Sequence, residues 1–137
     1  MLRVARARLE AAGVSGSDLR QGDMYALPLG GASADLVILH QVLHYAQAPA
    51  AAIVEAARIL RPGGRLLIVD FAPHDREELR TRDAHARLGF SDEAMLGWLS
   101  AAGLDGAVCE HLGGGELTVT LWRGTKPGLR LLQAKAA

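Results

Sequence analysis

Three histidines, a glutamine and two aspartates stand where an α/β protein keeps its ligands. His40, Gln41 and His44 close or follow one continuous apolar run, Asp35 to His40, and Asp70, Phe71 and His74 do the same for a second, Arg65 to Asp70. Imidazoles and carboxylates bind polar ligands and exchange protons. In open α/β sheets ligands gather beyond the carboxyl ends of the strands, so the residues just past each run are the first candidates for chemistry. Further upstream, Asp23 and Met24 follow Leu19-Arg20-Gln21, a stretch that reads as a short strand. An acid at a strand end beside an apolar side chain suits an adenine ring, because the carboxylate accepts from the exocyclic amine while the apolar group flanks the base. The same aspartate suits a plain turn equally well.

The elements that must position these residues follow from periodicity. Neither apolar run alternates, so each reads as a strand buried on both faces. Between them Ala50 to Leu60 has helical spacing, with Ile53, Ala57 and Leu60 facing inward and Glu55 and Arg58 outward. Arg61-Pro62-Gly63-Gly64 ends that helix and turns the chain. Strand, helix and strand in this order make a parallel crossover, and the fold class is α/β. At the N-terminus Leu2, Ala5, Leu9 and Ala12 share one helical face and Gly13 is a natural stop. No Ser, Thr, Asp or Asn precedes that helix to cap it, so the chain is expected to open inside an element.

After the second strand, His74 to Arg87 carries four arginines and four acids. That composition predicts a solvated helix, with a lid over a site as the alternative. Ser91 caps a further helix that has Asp92 and Glu93 in its first turn, buries Met95, Leu99 and Ala102, and closes at Gly103. Ala107 to Leu112 and the alternating Glu116 to Trp122 are strands. The triple glycine 113–115 joins them, so they must be antiparallel. Residues 1–124 are expected to form one domain and 125–137, opening on Lys126-Pro127-Gly128, a loosely held tail.

Half of the 137 residues are hydrophobic and 22% are charged, a globular composition. Fifteen basic residues balance fifteen acidic ones, which gives no electrostatic footprint for nucleic acid. No apolar run approaches the roughly 20 residues that span a bilayer, and the arginine-rich N-terminus has no signal-peptide core. Cys109 is the only cysteine, so no internal disulfide can form and a reducing, cytoplasmic setting is expected.

The segments GDMYALPL (22–29), ADLVILHQVLHY (34–45) and EAARILRPGGRLLIVDF (55–71), in their order and spacing, resemble the later part of class I S-adenosylmethionine (SAM) dependent methyltransferases. DFAPHD, AHARLGF and LTVTLW are similar to one subgroup, in which such a domain follows a winged-helix domain of the arsenic-repressor type. The resemblance runs from Met1 to Arg123. It implies a partial Rossmann-like sheet of parallel strands with helices on its faces, ending in an antiparallel hairpin, with the first two family strands absent. Asp23 would hold the adenine amine and Met24 would line its pocket. His40 would lie beside the methionine portion of SAM, and Gln41 near the reactive methyl. His44 or His74 would act as base, and Asp70, Phe71 and His85 would lie on the substrate side.

The resemblance further implies a small-molecule acceptor and no metal. The family's glycine-rich turn and ribose-binding acid precede the helix with which this chain starts. The glycines at 30–31, 63–64 and 113–115 lack the strand–loop–helix context to replace that turn. Without the first two strands, Leu36–Leu39 becomes an apolar edge, and the chain is expected either to self-associate through it or to fold its N-terminal helix and Leu19–Gln21 across the gap.

Three other readings compete. A nicotinamide-dependent short-chain reductase needs a lysine four residues after a tyrosine, but Tyr25 is followed there by Leu29 and Tyr45 by Pro49. His40 and His44 have zinc-ligand spacing, yet His40 closes a strand and HQVLH lacks the glutamate of the hydrolase motif. A non-catalytic relic, or a dimerising or regulatory module derived from a methyltransferase, takes its support from the missing cofactor loop.

Overall fold

The computed structural model describes residues 1–128; of the expected tail 125–137, Thr125 ends the last strand, Lys126 is hydrogen-bonded to the body of the fold, and 129–137 lie outside the described residues. In chain order the elements are α1 (Leu2–Ala11), β1 (Ala34–His40), a 3-10 turn (Leu43–Tyr45), α2 (Pro49–Ile59), β2 (Leu60–Phe71), α3 (Glu78–Arg82), α4 (Asp92–Ala101), β3 (Asp105–Leu112) and β4 (Val119–Thr125). They build one four-stranded sheet in the order β1-β2-β4-β3. β1 and β2 are parallel, joined by the α2 crossover, and β4 runs antiparallel between β2 and β3. This is the α/β architecture expected of the sequence, with its antiparallel final hairpin.

The buried face of the sheet carries Leu66, Ile68 and Asp70 from β2, with Gly124, Trp122 and Thr120 opposite them on β4. Ile53, Ala56 and Ala57 of α2 and Met95 and Leu99 of α4 close over it. Alternation in β4 was legible but not which set faces inward. Pairing to Asp70 and Ile68 turns Thr120 and Trp122 into the core, where the indole Nε1 donates to Asp92 Oδ1 at 2.8 Å. Thr120 Oγ1 is held at 2.9 Å by His111 Nδ1.

Arg61–Gly64 does not leave the strand as a free turn. Leu60 pairs with Ala34 and Arg65 with Leu36, so the four residues between them form an irregularity within β2. Gly63 there has φ +82°, a conformation that glycine adopts without cost. Lys126 closes the same corner: its Nζ donates to Ala57 O and Leu60 O at 2.8 Å each, satisfying carbonyls at the end of α2.

Two expectations are corrected. Leu19–Gln21 forms no strand, because no neighbouring strand offers it backbone partners. Glu55 does not face outward; it is 9% exposed. Its Oε1 accepts from Leu27 N at 2.7 Å and from Arg58 Nη2 at 2.6 Å, and Arg58 Nη2 also donates to Leu29 O at 2.8 Å. The pair thus pins residues 27–29 onto α2. The Arg58 guanidinium, with help from the Leu27 amide, pulls the Glu55 pKa from 4.5 down to about 2. A depressed carboxylate pKa contributes stability that is present above the unfolded value and lost as pH falls through the folded one. Glu55→Gln is therefore expected to flatten the stability curve between pH 4.5 and about 2, as read by thermal unfolding at a series of pH values. An unaltered acid limb would refute this.

The opposite face of the sheet is open at β1. The expectation that this strand is buried on both faces is thus corrected: Leu36 and Ile38 are 55% and 53% exposed, because β1 is an edge strand and no element among the described residues covers that face.

Candidate active site

The carboxyl ends of β1 and β2 lie side by side, with His40 paired to Val69. Beyond β1 the chain turns sharply at Gln41, whose φ of +51° is unusual for a residue with a side chain, and its N–H donates to Val69 O at 2.7 Å. That turn carries Leu43–Tyr45 back over the end of β2. Asp70, with no exposed surface, receives it: Oδ2 accepts from Leu43 N at 3.1 Å and His44 N at 3.3 Å. Oδ1 lies 2.7 Å from His44 Nδ1 and accepts from Phe71 N at 2.9 Å. A carboxylate facing Nδ1 fixes that nitrogen as the donor and leaves a lone pair on Nε2. Asp70 can therefore act on a ligand only through His44, which is itself 2% exposed.

Around His44 the rings are close. Tyr45 lies 4.1 Å away between centroids, His85 4.2 Å and Phe71 5.0 Å. His85 stacks on Phe71 at 5.9 Å, and His74 meets the same ring edge-on at 6.1 Å. Phe71 is thus a wall shared by three imidazoles. Tyr45 was not singled out in the sequence, although its place directly after His44 was the available signal.

The expected solvated helix over 74–87 shrinks to the five residues of α3, and the rest lies across this cluster. Ala86 N and Arg87 N both donate to His44 O, at 2.8 and 3.0 Å, while Leu79 and His85 are buried. At its base His74 N donates to Leu88 O and Phe90 N to Phe71 O. Gly89 makes that closure possible: a Cβ there would collide with the Ala72 carbonyl, and its φ is +83°.

Two nitrogens in the cluster, His74 Nε2 and His85 Nδ1, are buried with no hydrogen-bond partner. Each such orphan costs about 1–3 kcal/mol. His74 Nδ1 accepts from Arg76 N at 3.3 Å, so the neutral ring carries its proton on the orphaned Nε2. Burial pushes both His74 and His85 below the usual histidine range.

The expected cofactor residues lie apart from this cluster or at its edge. Asp23 is exposed; its Oδ1 accepts from Tyr25 N at 2.8 Å in a turn, which leaves Oδ2 uncommitted. A cavity of about 410 Å³ beside it is lined by Gly22, Met24, Leu27, Pro28 and Leu29 among others. Met24, Leu27 and Leu29 offer the apolar walls an adenine ring needs, and Asp23, between the lining residues Gly22 and Met24 in sequence, carries a carboxylate that can accept from an exocyclic amine. His40 is exposed at the end of β1, and Gln41 is half-buried. The structure brings His44, His74, His85, Asp70 and Phe71 together; it does not join Asp23 and Met24 to them. Among the described residues no group of three or more His, Cys, Asp or Glu is arranged to hold a metal ion, and no helix is long and apolar enough to cross a membrane.

Residues 1–68 match the family model of the methyltransferase domain. A probable SAM-dependent methyltransferase of Mycolicibacterium smegmatis is 33% identical over 112 residues, covering 70% of this chain and 44% of that protein. A malonyl-[acyl-carrier protein] O-methyltransferase of Methylococcus capsulatus is 39% identical over 80 residues, 58% of this chain and 28% of that one. The chain thus spans less than half the length of these curated relatives. Among solved structures, YcgJ of Bacillus subtilis superposes with a TM-score of 0.80 at 20% identity, over 93% of this chain and 78% of that one. A SAM-dependent methyltransferase of Thermotoga maritima, described as a possible histamine N-methyltransferase, gives 0.70 at 27% identity, over 92% and 69%. The fold is that of the class I methyltransferases.

Proposed function

We propose that this chain, whose first half matches the methyltransferase domain and whose sheet has the class I methyltransferase fold, transfers the methyl group of SAM to a small-molecule acceptor. The observation that carries the reading is the buried His44–Asp70 pair at the adjoining carboxyl ends of β1 and β2. When bound, SAM supplies a methyl group on a positively charged sulfur. Asp23 and Met24 would hold the adenine end, His40 would border the methionine portion, and Gln41 would lie near the reactive methyl. His44 Nε2 takes the proton the acceptor loses, and Asp70 keeps the imidazole in the tautomer that can do so. His74, His85 and Phe71 border the acceptor. Support for a catalytic rather than a purely scaffolding role comes from the two imidazole nitrogens that no protein group among the described residues partners, which are free to meet a ligand.

Titration calorimetry with SAM tests the reading directly. Asp23→Ala is expected to weaken binding by roughly 1–3 kcal/mol through loss of a charge-assisted hydrogen bond. Asp23→Asn keeps an oxygen for the Tyr25 amide, so a loss shared by both variants reports the charge rather than the turn. Equal affinity in all three proteins would remove Asp23 from the adenine site.

We also propose that a second copy of the chain pairs with the open edge of β1. Antiparallel pairing centred on Val37 would set Leu36 of each copy against Ile38 of the other, covering the two most exposed apolar residues of the strand.

A further inference from the structure

Building on the proposed methyl transfer, we propose that the acceptor is an uncharged, flat molecule carrying a hydroxyl beside a second hydrogen-bonding oxygen, and that it enters between His44 and His74 against the Phe71 ring, beneath residues 74–88. The hydrogen-bonding groups there are complementary to that chemistry. In the neutral ring His44 offers a lone pair at Nε2, because Asp70 holds the Nδ1 proton. His74 Nε2 carries a proton and has nothing to give it to, because its Nδ1 already accepts from Arg76 N. A hydroxyl donates to the first and a neighbouring oxygen accepts from the second. The His85 Nδ1 orphan lies in the same ring cluster, 4.2 Å between centroids from His44.

The walls argue for a flat ligand. Phe71, His85 and Tyr45 present ring faces and edges around His44, and such surfaces hold planar molecules by offset or edge contacts. Charge argues for a neutral one. Three of the four arginines of the covering segment are paired with acids, Arg76 with Glu78 and Glu116, Arg80 with Glu77 and Arg82 with Asp83, while Arg87 donates to the Gln47 carbonyl. Burial disfavours the charged forms of His74 and His85, and the side chain beneath them is the carboxyl of Asp70. A carboxylate or phosphate between His44 and His74 would face the side chain of Asp70. Entry requires the covering segment to lift; within it Ala84 has φ +56°, a conformation costly for a residue with a side chain.

The test uses the 137-residue chain with 1,2-dihydroxybenzene and benzoate as probes, following histidine ring nitrogens by NMR and affinity by titration. Dihydroxybenzene is expected to shift the ring signals of His44 and His74 and to bind at least about tenfold more tightly than benzoate. His74→Phe is expected to lose roughly tenfold in dihydroxybenzene affinity, the scale of one hydrogen bond. His74→Gln, which keeps a donor, is expected to recover part of it. Benzoate binding as tightly, absence of dihydroxybenzene binding, or binding without shifts at His44 and His74 would each overturn the proposal. SAM titration separates the two readings: SAM binding without dihydroxybenzene binding defeats the acceptor class alone, and the reverse result defeats the cofactor assignment alone.

Discussion

Asp70→Ala is expected to cost about 3–5 kcal/mol of folding stability, the scale seen when one partner of a buried polar pair is removed. The carboxylate serves four groups at once: the amides of Leu43, His44 and Phe71 and the imidazole of His44. Alanine leaves all four without this acceptor in a place water does not reach. Asp70→Asn keeps the shape and one carbonyl oxygen, and should recover part of the loss while releasing the His44 tautomer. Urea denaturation of the three proteins measures the differences. A loss under about 1 kcal/mol for alanine would mean that the amides find other partners, and that Asp70 does not organise the turn after β1.

The second large effect concerns mass. With β1 at the edge and Leu36 and Ile38 more than half exposed, the chain is expected to scatter light as a dimer or larger at tens of micromolar. Ile38→Lys places a charge opposite Leu36 of the other copy on both sides of the two-fold pairing, and is expected to return the monomer mass. The same substitution leaves the core untouched, since Ile38 faces away from α2 and α4. A concentration-independent monomer in the parent chain would end the pairing proposal.

The strands were legible because Leu36–Leu39 and Leu66–Val69 are apolar without alternation, a pattern that buried parallel strands produce. The helix start at Ser91 and the stop at Gly103 were equally local; Ser91 Oγ does accept from Ala94 N. What escaped depends on partners distant in sequence. Glu55 turned inward because a backbone amide 28 residues away and Arg58 beside it satisfy its charge. Thr120 and Trp122 became core because β4 docks against the face of β2 that holds Asp70 and Ile68, and alternation supplies a period without a sign. His44 and Asp70 could each be singled out by their place past a strand. Their pairing across 26 residues arises only once the two strands lie in register.

The grip of Lys126 on Ala57 and Leu60 makes the folded state chemically readable. The chain has two lysines, Lys126 and Lys135. An ammonium already donating to two carbonyls reacts slowly with acylating reagents, whereas the same amine in an unfolded chain does not. Labelling at Lys126 therefore clocks the opening of the corner where α2, β2 and the end of β4 meet. Acetylation there would strip the end of α2 of its cation in a single step.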